Sequence, residues 1–355
     1  MIRERRVTQQ VRAGTLGIGS SYPVSVQTMW AEALTEQALP AVCSTMESLR
    51  DIGCSLMRFS VPDDDHVEAV RRIASWDIMP VAADIHYDYR LALKSLDAGV
   101  QKVRINPGNI GATWKTREII SKAADLGAAI RVGVNSGSLP KQYRDLTPVH
   151  EAMVSCVLEY VDLFEQLQFP NLVVSLKSSD PETTCEANRL FASRSPWPLH
   201  IGVTEAGPLI PAVVKSTRAL SSLLEEGIGD TIRVSISGEI TSEVISAKEI
   251  LKTLGLWDGG VTIISCPKCA RASFDTHGFF TQCGMELERL KCRVTVAVMG
   301  CAVNGLEEAR HADIGITGAG NRIIIFSKGR VVREVDQADA LRAFREELER
   351  LCTRS

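Results

Sequence analysis

PVAADIHYDYRLALKSLDAGVQKVRINPGNIG, residues 80–111, carries the pattern that decides the fold. A small, apolar run at 80–85 leads to His86, a segment with helical spacing follows, and a second run at 102–107 carries Arg104 and Asn106. A strand, a helix and a strand in succession form the repeating unit of an α/β protein. Outward from this stretch the rhythm recurs at 24–29, 55–59, 129–135, 171–177, 199–205 and 231–236, which makes eight runs in all. The intervening segments have the period of helices. At 148–168, for example, Met153, Val157, Val161, Phe164 and Leu167 recur at helical spacing behind a Thr147-Pro148 start. Eight alternations predict a (β/α)8 barrel of the TIM type rather than an open doubly wound sheet. The open sheet would place a glycine-rich dinucleotide turn after the first strand, whereas Gly14, Gly17 and Gly19 precede it.

Bulk properties agree with a folded, two-domain chain. Of 355 residues, 45% are hydrophobic and 23% charged, and the formal net charge is -3. Such a composition excludes disorder, and this length exceeds what one core of about 250 residues fills. The expected division is a barrel at 1–258 and a smaller domain at 259–355. Near-neutral charge gives no reason to expect a nucleic-acid partner. No stretch reaches the ~18 consecutive apolar residues of a membrane span, and the N-terminal residues lack the apolar core of a secretory signal. A cytoplasmic protein without a membrane partner is the expectation, and its ten cysteines are then expected mostly as thiols or metal ligands rather than disulfides.

The polar residues that close the eight runs carry the functional signal, because a barrel builds its active site where its strands end. In chain order they are Arg58, His86, Arg104 with Asn106, Arg131 with Asn135, Ser175 with Lys177, Thr204 with Glu205, and Arg233 with Ser235. Four arginines and a lysine at one mouth repel one another unless an anion sits among them, and guanidinium matches phosphate oxygens in bidentate geometry. The competing reading pairs each arginine with a carboxylate on the rim. Glu205, a lone acid in IGVTEAG, reads equally as a salt-bridge partner or as a proton-transfer group set among cations.

The strand-helix rhythm stops near Trp257. A run at 261–265 leads into Cys266-Pro267-Lys268-Cys269, and a further run at 294–299 leads to Cys301. Thiols delivered by the ends of two strands suit zinc, an iron–sulfur cluster, a redox dithiol, or free structural cysteines. Zinc requires a fourth ligand, for which Cys283, Cys292 and His277 are the candidates. Cys43, Cys54, Cys156, Cys185 and Cys352 are isolated and read as packing residues.

Taken together, VSVQTM, MRFSVP, ADIHYDYRLAL, VRINPGNIG, IRVGVNSGSL, VSLKSSD, PLHIGVTEAG, EEGIGDTIRVS, SCPKCARASFD and VAVMGCAVNG with EEARHADIGI resemble the 4-hydroxy-3-methylbut-2-enyl diphosphate synthase family over almost the whole chain. The resemblance implies a barrel followed by a smaller α+β domain that binds one 4Fe-4S cluster through Cys266, Cys269, Cys301 and Glu308. It further implies that Arg58, His86, Arg104, Asn106, Arg131, Asn135, Lys177, Arg233 and Ser235 contact the substrate, 2-C-methyl-D-erythritol 2,4-cyclodiphosphate, and that Glu205 is the essential acid. The implied reaction is reductive ring opening and dehydroxylation in isoprenoid biosynthesis, with ferredoxin or flavodoxin as electron donor and a head-to-tail homodimer as the working unit.

Three stretches depart from the family pattern: Leu306 and Glu307 replace a Pro-Gly pair beside Glu308, Trp30 to Leu34 replace a polar turn after the first strand, and 318–322 replace a lysine-rich turn. The alternative these departures leave open is a divergent paralogue that binds a cluster and a phosphorylated ligand as a sensor or accessory protein.

Overall fold

Strands that lie between an outer ring of helices and a filled barrel interior are buried on both faces, and residues 81–85 and 102–105 are buried at every position. The computed structural model of the chain describes residues 3–266 and 269–353. It divides into two compact units whose boundary along the chain lies between Trp257 and Asp258.

The first unit opens with an antiparallel hairpin, β1 (Val11–Ala13) and β2 (Leu16–Ile18). The eight parallel strands follow: β3 (Ser25–Met29), β4 (Cys54–Ser60), β5 (Val81–Ile85), β6 (Lys102–Ile105), β7 (Ala129–Asn135), β8 (Leu172–Lys177), β9 (His200–Ile201) and β10 (Thr231–Ile232). Their order is β8-β7-β6-β5-β4-β3-β10-β9, and a parallel bridge from Val174 to Leu199 joins the two ends into a nearly closed barrel. The helix expected at 148–168 runs Val149–Gln166 and buries Met153, Val157, Val161 and Phe164.

Two features differ from the sequence pattern. The runs at 199–205 and 231–236 form strands of only two residues each. The backbones cross too closely there for a regular ladder: a Cβ on Gly202 would lie 2.5 Å from the carbonyl oxygen of Arg233. The hairpin β1–β2 was not among the eight expected runs. Its Val11, Ala13 and Ile18 are fully buried against Leu56, Ala82, Ala129 and Val173, inward residues near the starts of their strands, so it plugs the end of the barrel opposite the mouth. Gly14, at φ +60°, makes the tight turn possible.

The second unit carries β11 (Val261–Ser265), β12 (Val294–Met299), β13 (Ile314–Ala319), β14 (Arg322–Ser327) and β15 (Arg330–Val335). They pair in that order, parallel from β11 to β13 and antiparallel from β13 to β15. Helices Thr276–Arg289 and Ala340–Cys352 cover the sheet, with Phe279 and Phe344 packed edge to face at 5.1 Å. One expectation about the cysteines is corrected here. Cys352, read as a packing residue, is disulfide-bonded to Cys292, because the last helix ends with its Cα 5.5 Å from that of Cys292.

Candidate active site

A strand alternates its side chains between two faces, so in β4 to β8 the residues that point into the barrel are every second one. On β6 these are Lys102 and Arg104, and in register beside Arg104 lie Asp84 of β5 and Arg131 of β7. The inward residues near the carboxyl ends of the strands enclose a cavity of about 200 Å³. Arg58, His86, Arg104, Arg131, Asn135, Ser175, Lys177, Thr204, Arg233 and Ser235 all line it, so the structure brings together most of the strand-end residues picked out from sequence.

Two expected site residues lie elsewhere. Asn106 is buried behind the lining, where its Oδ1 accepts from the backbone N–H of Gly108 at 3.2 Å. Glu205 follows the lining residue Thr204 but does not itself face the cavity. It is exposed, takes φ +52°, and has no ion-pair partner among the described residues. The salt-bridge reading therefore finds no partner among the described residues, and the backbone enters a left-handed turn at this residue. A non-glycine residue in that conformation costs about 1–2 kcal/mol, and strain of this kind gathers at functional turns.

The repulsion among the arginines is relieved by two acids that sequence reading did not select. Asp84 Oδ1 accepts from Arg104 Nη1 at 3.0 Å, and its Oδ2 lies 3.5 Å from Arg58 Nε. Glu243, on the helix Ile240–Thr253, pairs with Arg233 at 2.8 and 3.0 Å and accepts from Thr28 Oγ1 at 2.6 Å and Ile236 N–H at 2.9 Å. The one signal for Asp84 is its place in ADIHYDY two residues before His86, which sets it on the same strand face but does not show its partners; Glu243 gave no signal, being one acid on an amphipathic helix. Met29 adds a soft acceptor, its sulfur 2.8 Å from Arg58 Nη2.

The balance stays positive. Arg131 and Lys177 have no carboxylate within ion-pair distance among the described residues, and Arg131 Nε has no hydrogen-bond partner. Burial alone would raise the Asp84 carboxyl, but Arg58, Arg104 and Arg131 outweigh it and hold it well below the usual carboxylate range. Burial draws the Arg58 guanidinium down to about 10, Asp84 opposing and Arg233 and Arg104 reinforcing the shift. Burial also draws Lys177 well below its ordinary value, with Arg131 and Arg58 adding to the effect. Guanidinium keeps its proton even when buried, so this field is relieved at the lysines or by an incoming anion.

In the second unit, Cys266 follows β11 and Cys301 follows β12, the neighbouring strand. The N–H of Gly300 donates to Cys266 Sγ at 3.1 Å, and Gly300 O accepts from Ser273 and Phe274 N–H at 2.8 and 3.1 Å, folding the segment after the CxxC back toward the end of β12. Cys301 is buried, Cys266 half-buried and Cys269 exposed, while Pro267 and Lys268 between them lie outside the described residues. Among the described residues no three Cys, His, Asp or Glu side chains gather as a metal-holding group. The donors nonetheless fit an iron–sulfur cluster: thiols on adjacent strand ends, one already receiving a backbone N–H, with Glu308 closing the helix Ala302–Glu308 after Cys301. The alternatives for a zinc ligand weaken, since Cys292 is in the disulfide and Cys283 is buried in a helix with its thiol on Phe279 O.

Comparison with known proteins gives the same division of the chain. The GcpE TIM-barrel domain matches residues 8–248, and the GcpE protein C-terminal domain matches residues 262–350. A Treponema pallidum protein named 4-hydroxy-3-methylbut-2-en-1-yl diphosphate synthase (flavodoxin) is 44% identical over 343 residues, 93% of this chain and 84% of its own. Proteins of the same name from Thermodesulfovibrio yellowstonii and Geobacter sulfurreducens are 42% and 41% identical, with 97% of this chain and 99% and 98% of theirs covered. Among solved structures, a dihydropteroate synthase of Xanthomonas albilineans superposes with a TM-score of 0.50 at 8% identity over 70% of this chain and 99% of its own, a likeness of barrel fold alone. The ring of strand-end cations, the thiols after two parallel strands and the full-length matches lead to one assignment: the chain belongs to the GcpE family of 4-hydroxy-3-methylbut-2-en-1-yl diphosphate synthases.

Proposed function

We propose that the barrel pocket binds 2-C-methyl-D-erythritol 2,4-cyclodiphosphate and that this chain converts it to 4-hydroxy-3-methylbut-2-enyl diphosphate. The observation that carries the pocket assignment is the uncompensated charge of Arg131 and Lys177 beside two arginines already shared with Asp84. A diphosphate completes that ring, with Arg58, Arg104, Arg131, Lys177 and Arg233 toward its oxygens and His86, Asn135 and Ser235 as neutral or switchable donors. Asn106 then acts from behind the lining, fixing the turn after β6.

In the reaction a carbon–oxygen bond of the ring opens, two electrons enter, and a hydroxyl leaves as water with a proton. Cys266, Cys269, Cys301 and Glu308 would hold an iron–sulfur cluster, whose chemistry would be to deliver electrons one at a time. Glu205 is the proposed acid, reached from its strained turn once the substrate is in place. The relatives' names specify flavodoxin, and we take it as the donor here, with ferredoxin an equivalent one-electron source.

Two variants test the assignment together. Glu205→Gln is expected to keep cluster and ligand binding while losing turnover by about 100-fold or more; retained turnover would remove Glu205 from the chemistry. Mixing it with Cys301→Ser tests the head-to-tail homodimer. If the barrel of one chain works with the cluster of its partner, the mixture regains activity that neither variant has alone. Two variants that dimerise yet stay inactive when mixed would place each site within one chain.

A further inference from the structure

Lys102 lies on the inward face of β6, two residues before Arg104 and toward the plugged end of the barrel. It is 1% exposed, and its Nζ has no hydrogen-bond partner among the described residues. Its neighbours in register are Ala82 of β5 and Ala129 of β7, so small residues on both flanks leave the room that its stem fills. The plugging hairpin adds the apolar Val11, Ala13 and Ile18 to this layer, with Leu16 packed against them. The charged groups that act on Lys102 are Arg131 of β7 and Arg58 of β4, both cations. Asp84, the acid of the next layer, is taken up by Arg58 and Arg104. From β9, His200 adds a second base in the same position: its Nδ1 is engaged with Thr231 Oγ1, and its buried Nε2 has no partner.

A buried amine among guanidinium groups lowers the total repulsion by giving up its proton, which the arginines do not do. Burial draws Lys102 well below its ordinary value, and Arg131 and Arg58 add to the effect. His200 is drawn down by burial first, then by Lys177, Arg131, Lys102 and Arg58. An anion entering above reverses the sign of the field that both bases feel.

We propose that Lys102 is a positioning residue that takes up a proton when a phosphate-bearing anion enters the barrel pocket, coupling substrate binding to the protonation of the pocket floor. The inference builds on the anion reading of that pocket. By linkage, an anion that favours the protonated amine is favoured by it in turn, so affinity falls as pH rises. Lys102 touches no reacting atom; it acts through Arg131 and Arg58, by setting how much positive charge the ring holds before and after the ligand arrives.

The test is a calorimetric titration of the reconstituted full-length protein, without reductant, with 2-C-methyl-D-erythritol 2,4-cyclodiphosphate in buffers of different ionisation enthalpy at neutral pH. Each phosphorus of that ligand keeps only one strongly acidic hydroxyl, so protons drawn from the buffer go to the protein. The wild type is expected to take up on the order of one proton per ligand. Lys102→Met is expected to fold, to melt at a higher temperature because a buried unpaired amine is gone, and to bind with most of that uptake lost and a flatter pH dependence of Kd. Lys102→Gln gives the same proton count if the methionine variant does not fold. Binding by the wild type without proton uptake overturns the inference and leaves the anion site standing. So does an unchanged uptake in the variants, which transfers the role to His200 or Lys177. No binding by the wild type overturns the anion site and this inference together.

Discussion

The barrel mouth and the cysteine region solve the problem of holding a charged group in opposite ways. Arg104 and Arg131 sit on strands hydrogen-bonded on both sides, and Asp84 bridges Arg104 to Arg58 from the neighbouring strand. Their geometry belongs to the fold and precedes any ligand. Cys266 and Cys269 follow the end of β11, an edge strand, and among the described residues the thiols do not gather into a three-ligand group. For the cluster proposed there, binding free energy would close the site as well as fill it, as in other sites whose metal is coupled to folding. One region is preorganised and carries excess charge; the other offers donors that the proposed cluster would assemble.

The largest effect that sharpens this contrast is Cys301→Ser. Removing the buried thiol at the end of β12 is expected to abolish iron and sulfide retention together with turnover. Cyclodiphosphate affinity at the barrel should stay within about threefold, roughly 0.65 kcal/mol. Full iron occupancy in the variant would mean that the ligand set is misassigned, and a large loss of affinity would show that the two regions are not independent.

Within the barrel, the paired and the unpaired arginine are expected to respond with opposite signs. Arg131→Met removes a buried cation with no carboxylate partner, so thermal stability should rise while ligand affinity falls by about 2 kcal/mol, roughly 30-fold. Arg104→Met leaves Asp84 with Arg58 alone and should lower stability by about 2 kcal/mol as well as weakening the ligand. Melting curves and Kd values for the pair decide it: if both variants lose stability equally, the uncompensated charge assigned to Arg131 is already balanced within the protein.

Much of this contrast was legible in the sequence, and its gaps have physical causes. The eight runs and the cations that close them are visible because a barrel strand buried on both faces is short, apolar and punctuated by polar residues at one end only. Asp84 is hidden by the same rule, since one acid inside an apolar run looks like ordinary strand polarity until its neighbours in register are known. Glu243 comes from a helix, and helical periodicity does not tell which acid turns inward. The hairpin Val11–Ala13 and Leu16–Ile18 is too short for a period, and only Gly14 marks its turn. Cys352 lies 60 residues from Cys292 along the chain, a pairing that spacing does not encode. Glu205 stands out in the sequence as a lone acid, but its left-handed backbone and its exposure are properties of the turn.

The smallest expected effect measures how rigid the preorganised region is. Gly133 of β7 lies under the Arg104 side chain: a Cβ there would come 3.0 Å from Ser175 Oγ and 3.2 Å from Arg104 Nε. Its backbone is ordinary strand, so Gly133→Ala meets no conformational penalty and acts only through those two contacts. A few tenths of an ångström of movement by the guanidinium relieves the crowding, but that movement is shared with Asp84, 3.0 Å away on the other side. The expected result is a stability loss of about 1 kcal/mol and a Kd for the cyclodiphosphate raised about threefold, with iron content unchanged. A Kd identical to wild type would mean that Arg104 adjusts freely and that the ring, like the thiols, takes its final form from its ligand.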